Sequence, residues 1–108
     1  GLNNRLRGSM FGNDNHYFSD EAININQWMM ITITYDKQFI KPFINGIAQT
    51  EISCNNALFS TTEKLYIGAL INHDYFDGQL ADVRIYNRAL SEEEITLLYN
   101  SYNPKIIL

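Results

Sequence analysis

The chain has 108 residues, 45% of them hydrophobic, with eight Lys and Arg against twelve Asp and Glu and a formal net charge of −4. That length suits one globular domain, 1–108, with a core of its own. The cations are scattered, so no basic stripe faces a phosphate backbone and nucleic acid is not an expected partner. No apolar run approaches the roughly 20 residues that cross a bilayer, and the opening GLNNRLRGSM lacks the apolar centre of a signal peptide, so membrane insertion is not expected.

The chain starts at Gly1 without a Met and reads as a fragment of a longer protein. Cys54 is the single cysteine, which leaves no internal disulfide and no Cys-based zinc cluster. It reads as a small buried hydrophobe, with a reactive or intermolecular thiol as the alternative. The composition leans to Asn, Ile, Tyr, Phe, Thr and Ser, a strand-and-turn vocabulary.

In chain order, residues 5–11 and 15–19 are predicted to form two short strands, with GNDN between them as the turn of a hairpin. SDEAININ delays the chain before QWMMITITY, a strand in which Met29, Ile31, Ile33 and Tyr35 alternate with Trp28, Met30, Thr32 and Thr34. The first set is the expected core face, and Trp28 and Met30 suggest partial cover on the other. YDKQF turns the chain into FIKPFING, where Asn45 and Gly46 signal a type I′ hairpin, and IAQTEIS returns as the partner strand. Pro42 lacks an amide hydrogen and is expected at an edge or a bulge, or with its missing donor turned away from a neighbour.

Residues 57–59 suggest a short strand, KLYIGAL a further one with Gly68 at a bulge or close approach, and INHDYFDG a polar loop. QLADVRIYN reads as the last strand. Leu80 falls out of phase with Ala81, Val83 and Ile85, which a bulge near Ala81 would reconcile.

The C-terminal signals are more complete. Ser91 and Glu94 are spaced as a capping box, Leu90 and Ile95 as a hydrophobic staple, and Glu92 to Glu94 meet the positive end of the helix dipole. Ile95, Leu98 and Tyr99 form one apolar stripe, and Asn100 is the expected stop. A helix so marked should act as a lid over a sandwich or a latch on its rim. Short strands, frequent turn signals and one terminal helix together argue for an all-β fold: an antiparallel β-sandwich with one short C-terminal α-helix.

FDGQLADVRIYNRALSEEEITLLY resembles the closing segment of the laminin-G-like, concanavalin A-like jelly-roll domains, where a pattern close to F-x-G-x-I-D-E-V-R-I-Y-N-R-A-L-S-x-x-E-I leads into a short helix. QWMMITITYD resembles that family's Trp-led strand, KPFING its hairpin, and KLYIGA the strand before its variable loop. The resemblance covers nearly the whole chain and implies a jelly roll, though the family's N-terminal strands are missing here. It also aligns the family's common Asp with Ala81, while the acidic neighbour persists as Asp82.

That superfamily includes retaining glycosidases with paired carboxylates about 5 Å apart. Their E-x-D-x-x-E signature is missing: Glu51 stands alone on its strand, Asp82 has no acidic partner two residues on, and Glu92 to Glu94 are explained by capping. The two histidines stand on separate loops, so no Ser, His and Asp arrangement can be argued. No enzyme is expected.

What the resemblance implies instead is carbohydrate binding. GNDNHYF and INHDYFDG each mix Asn, Asp, His and Tyr, which makes Asp14, Asn15, His16, Tyr17, Asn72, His73, Asp74 and Tyr75 the candidate ligand-binding residues; the competing reading is solvated turn residues. Asp74 and Asp77 with loop carbonyls are the candidate calcium ligands, although Asp77 before Gly78 equally suits a turn. Trp28, Tyr66 and Tyr86 read as core or cross-strand packing.

The expected function is a non-catalytic recognition module for a glycan or a protein surface, in a larger extracellular, cell-surface or virion-surface protein, whose partner chain or upstream segment completes the sheets. The alternative is a structural or assembly module, as in a multidomain surface protein or a virus or phage fibre; an accessory domain of a glycoside hydrolase is third.

Overall fold

The structure, a computed structural model, describes residues 4–9, 16–55, 62, 64–70 and 73–102. Contacts divide the chain into two compact units, one of Gly1–Ala57 with Arg88–Leu108 and one of Leu58–Asn87. Among the described residues all strand pairings are antiparallel, and one helix follows them in sequence.

The first unit opens with the expected hairpin, shorter than its sequence pattern: β1 (Arg7–Gly8) pairs β2 (His16–Tyr17) in the register Arg7↔Tyr17 and Gly8↔His16. The GNDN turn lies outside the described residues. Phe18 explains the glycine, because a Cβ at Gly8 would run into the Phe18 ring. The buried Ser19 is satisfied by its neighbours: Leu6 N donates to Ser19 Oγ at 2.7 Å, and Arg5 Nε to the Ser19 carbonyl at 2.9 Å.

β3 (Ile31–Tyr35) pairs β4 (Phe39–Ile44) from Ile31↔Ile44 to Tyr35↔Ile40. Asp36 closes the turn between them, its Oδ1 accepting from Gln38 N at 2.9 Å and Phe39 N at 2.7 Å, while Lys37 takes a positive φ of 73°. The next turn has φ of 53° at Asn45 and 77° at Gly46, as a type I′ turn requires.

The returning segment is interrupted. β5 (Ile47–Ala48) pairs β4 through Phe43↔Ala48, and β6 (Ile52–Ser53) pairs it through Ile40↔Ile52. Between those two pairs Gln49, Thr50 and Glu51 face only Lys41 and Pro42, so the return strand bulges opposite the residue that lacks an amide hydrogen. Pro42 uses the acceptor it retains: Gln49 N donates to its carbonyl at 2.9 Å.

Burial follows β4, not β3, and this corrects the expected core face. Ile31 and Ile33 share a sheet face with Ile40, Pro42 and Ile44, yet each is 44% exposed, whereas Ile40 and Pro42 are fully buried. β4 has neighbours on both edges; β3 has one among the described residues. The core of this unit comprises Phe18, Ile40, Phe43 and Ile95, with Thr34 the buried residue on β3.

The helix α1 (Glu92–Tyr102) begins as predicted. Glu94 N donates to Ser91 Oγ at 3.1 Å and Ser91 N to Glu94 Oε1 at 3.0 Å, the reciprocal capping box. Ile95 is buried, and Leu98 and Tyr99 are half-buried. The ring and Cβ of Tyr99 lie against Gly46, whose added Cβ would stand 3.3 Å from Tyr99 Cβ, so α1 latches onto the β4–β5 turn. Asn100 does not stop the helix. It keeps an ordinary helical backbone, and Ser101 Oγ donates back to the Leu98 carbonyl at 2.6 Å within the extra turn.

In the second unit β7 (Ala69–Leu70) pairs β8 (His73–Tyr75), which places part of the expected polar loop in a strand and shortens the expected KLYIGAL strand to two residues. Gly68 has a φ of 81°, and its carbonyl accepts from Phe76 N at 2.8 Å. Residues 79–87 form no strand, contrary to their alternating pattern. Asp82 instead turns the chain with a φ of 53°, held by Arg84, whose Nε donates to Asp82 Oδ1 at 2.9 Å. Without a partner strand the backbone groups of such a segment gain nothing from an extended ladder. The suggested strand at 57–59 lies outside the described residues.

Candidate functional site

A cleft of about 210 Å³ opens in the first unit, between the 21–29 segment and the β4–β5 hairpin. Two sets of bonds build it. Asn45 clamps the end of the segment, with Met30 N donating to Asn45 Oδ1 at 2.9 Å and Asn45 N to the Met30 carbonyl at 2.8 Å. At the other end Asp20 N donates to Gln49 Oε1 at 2.8 Å, while Thr50 N donates to the Asp20 carboxylate at 3.0 Å. The Thr50 amide is the main reason the Asp20 carboxyl is held below the ordinary aspartate value. Asn26 turns the intervening loop with a φ of 61°.

The floor is formed by the half-buried Ile23, Met29 and Ile44. Trp28 stands on the rim, 68% exposed, close to the equally open Ile47. Glu21, Asn24 and Gln27 complete the rim, exposed and with side chains that make no hydrogen bond among the described residues. An open indole beside one carboxylate and two amides can hold a ligand that has an apolar face and several hydroxyls. Among the described residues Glu21 is the one acid in the lining, so no glycosidase-type carboxylate pair is seen there.

This corrects the reading of Trp28, Tyr66 and Tyr86 as packing residues, since all three are exposed. One clue was present in the sequence: Trp28 ends a polar loop and precedes β3, so it owes no alternation to the sheet.

The residues expected to bind ligand are distributed otherwise. His16 and Tyr17 form β2, with His16 half-buried and the Arg5 guanidinium 3.9 Å from the centre of the Tyr17 ring. Asp14, Asn15 and Asn72 lie outside the described residues. His73, Asp74 and Tyr75 form β8 in the second unit; Tyr75 is exposed, and only the backbone of the other two is described. Asp77 is exposed in the segment that follows, and among the described residues no three His, Cys, Asp or Glu side chains converge as a metal site. Cys54 is half-buried beside Tyr35, and burial followed by a hydrogen bond with that thiol pushes the Tyr35 phenol above its ordinary value. Among the described residues no helix is long and apolar enough to cross a membrane.

The family model Laminin_G_3, described as the concanavalin A-like lectin/glucanases superfamily, matches residues 3–96. The crystal structure of an S-layer domain-containing protein from Clostridium thermocellum ATCC 27405 is similar, with a TM-score of 0.64 and 26% sequence identity over 80% of this chain. The match covers 45% of that solved chain, so the present chain spans less than half its length. No curated protein sequence matches. The chain therefore belongs to the laminin-G-like group of the concanavalin A-like lectin/glucanase superfamily, and its antiparallel sheets with one C-terminal helix are of that family's β-sandwich class.

Proposed function

We propose that the chain is a non-catalytic carbohydrate-recognition or adhesion module of a cell-surface or extracellular protein, and that it binds sugar at the Trp28 cleft. The exposed indole carries this reading. A solvent-facing Trp two residues before Met30, which Asn45 clamps, offers a flat apolar surface on a backbone already held, so binding spends little entropy on arranging that backbone. Membership of a lectin-containing superfamily and likeness to an S-layer domain-containing protein support both the class of ligand and the location.

A glycan array followed by calorimetry on the best ligand provides the test. Trp28→Ala should weaken binding at least about tenfold with the circular dichroism spectrum retained; unchanged affinity removes the cleft from the account. The segments at 14–17 and 72–75 are a second proposed contact, tested by changing His73 and Tyr75 to Ala together. Calcium at Asp74 and Asp77 is a separate proposal. Glycan affinity that a chelator leaves unaltered would remove calcium from the account.

A second reading, an assembly module, is favoured by Ile31 and Ile33. They leave an apolar strip on β3 suited to a second copy of this chain, beside an edge that is unpaired among the described residues.

A further inference from the structure

The polar groups of the cleft divide into two classes. Asn45 and Gln49 are committed to the fold: Asn45 Oδ1 accepts from Met30 N, Gln49 Oε1 accepts from Asp20 N, and Gln49 Nε2 donates to the Ile47 carbonyl at 3.0 Å. Glu21, Asn24 and Gln27 have no such duty among the described residues and share the rim with Trp28. The set that meets a ligand is therefore one anion, two neutral amides and one indole. Among the described residues no lysine or arginine lines the cleft. Arg5, the cation whose charge acts on Asp20, stacks on the Tyr17 ring and donates to the Ser19 carbonyl.

We infer that the Trp28 cleft takes uncharged pyranosides and discriminates against uronic acids, and that Glu21 is the residue that sets this preference. The inference rests on the carbohydrate reading above and adds the ligand class.

Three physical effects point the same way. A carboxylate accepts from two neighbouring sugar hydroxyls at once, and these charge-assisted bonds are stronger than those to a neutral acceptor. The negative face of the indole attracts polarised C–H groups and repels an anion. A sugar carboxylate entering the cleft would lose part of its hydration beside Glu21, with no cation among the described lining residues to replace it. Asn24 and Gln27 can donate to hydroxyl or carboxylate alike, so they orient a ring without distinguishing its charge.

Trp28 is the single tryptophan of the chain, so its emission reports on this cleft alone. The experiment titrates the whole chain at neutral pH and low salt with matched pairs of oligosaccharides of equal length: cello-oligosaccharide against oligoglucuronate, mannan against mannuronate, and galactan against galacturonate fragments. At least one neutral member should shift the Trp28 emission, and its uronate partner should bind about tenfold more weakly.

Two further arms isolate the charge. Raising the salt to about 1 M should narrow the ratio in the unaltered protein, because exposed charges are then screened over a few ångströms. Glu21→Gln should narrow it at low salt. A uronate that binds as tightly as its neutral partner overturns the inference and leaves the carbohydrate reading standing. A ratio unmoved by both salt and Glu21→Gln overturns the role given to Glu21. Emission unmoved by every sugar overturns the inference together with the reading on which it rests.

Discussion

Glu94 accepts from the Ser91 amide and from both Nη1 and Nη2 of Arg88, and it stands at the positive end of the helix dipole. The Arg88 guanidinium first, and the Ser91 amide second, lower its pKa from 4.5 to about 2. A carboxyl whose folded value is depressed stabilises the fold above its unfolded value, and the contribution disappears as pH falls through the folded one. The helix start should therefore weaken as pH falls from about 4.5 to about 2. Thermal melts across that window should show a smaller loss for Glu94→Gln than for the unaltered chain, since the variant has no proton to take up; parallel curves would contradict this. Gly46 is a second residue where local chemistry decides. Its φ of 77° and the Tyr99 side chain both oppose a Cβ, so Gly46→Ala should destabilise by about 1–2 kcal/mol in denaturant melts.

At the level of elements, β3 and β4 carry equally apolar sequences but have different fates. Ile33 and Ile40 lie on the same sheet face, one 44% exposed and the other at 1%. Ile40→Ala should cost about 2–5 kcal/mol through loss of burial and a cavity, and Ile33→Ala about 1 kcal/mol or less; urea unfolding of the two variants measures the difference. Alternation revealed a strand in QWMMITITY, which the structure confines to its ITITY part, but not how much of its apolar face is covered. The last strand misled for a related reason. Residues 79–87 alternate well enough, yet a strand needs a ladder partner, and the turn at Asp82 with its Arg84 bridge satisfies local groups instead. By contrast the helix start and the Asn45–Gly46 turn were legible in the sequence, because each rests on groups within a few residues of one another, while the missing hydrogen of Pro42 left a bulge as one of three alternatives.

For the molecule as a whole, the two readings of function separate by stoichiometry. The assembly reading expects sedimentation to reveal a concentration-dependent dimer that Ile33→Lys removes, since a charge on the β3 strip would be buried without a partner. A monomer at every concentration leaves the recognition reading alone. For the candidate site, the sequence directed attention to His16, Tyr17, His73 and Tyr75, and the structure adds a cleft at Trp28, built from segments joined by Asp20, Asn45 and Gln49.

The sequence by itself determined the family, the start of the helix and the tight turn, through signals whose donors, acceptors and φ preferences are local. Only the tertiary structure decided which isoleucines are buried, which predicted strands find partners and which aromatic ring stays open to solvent. Burial and strand pairing depend on neighbours tens of residues away, and no local pattern encodes them.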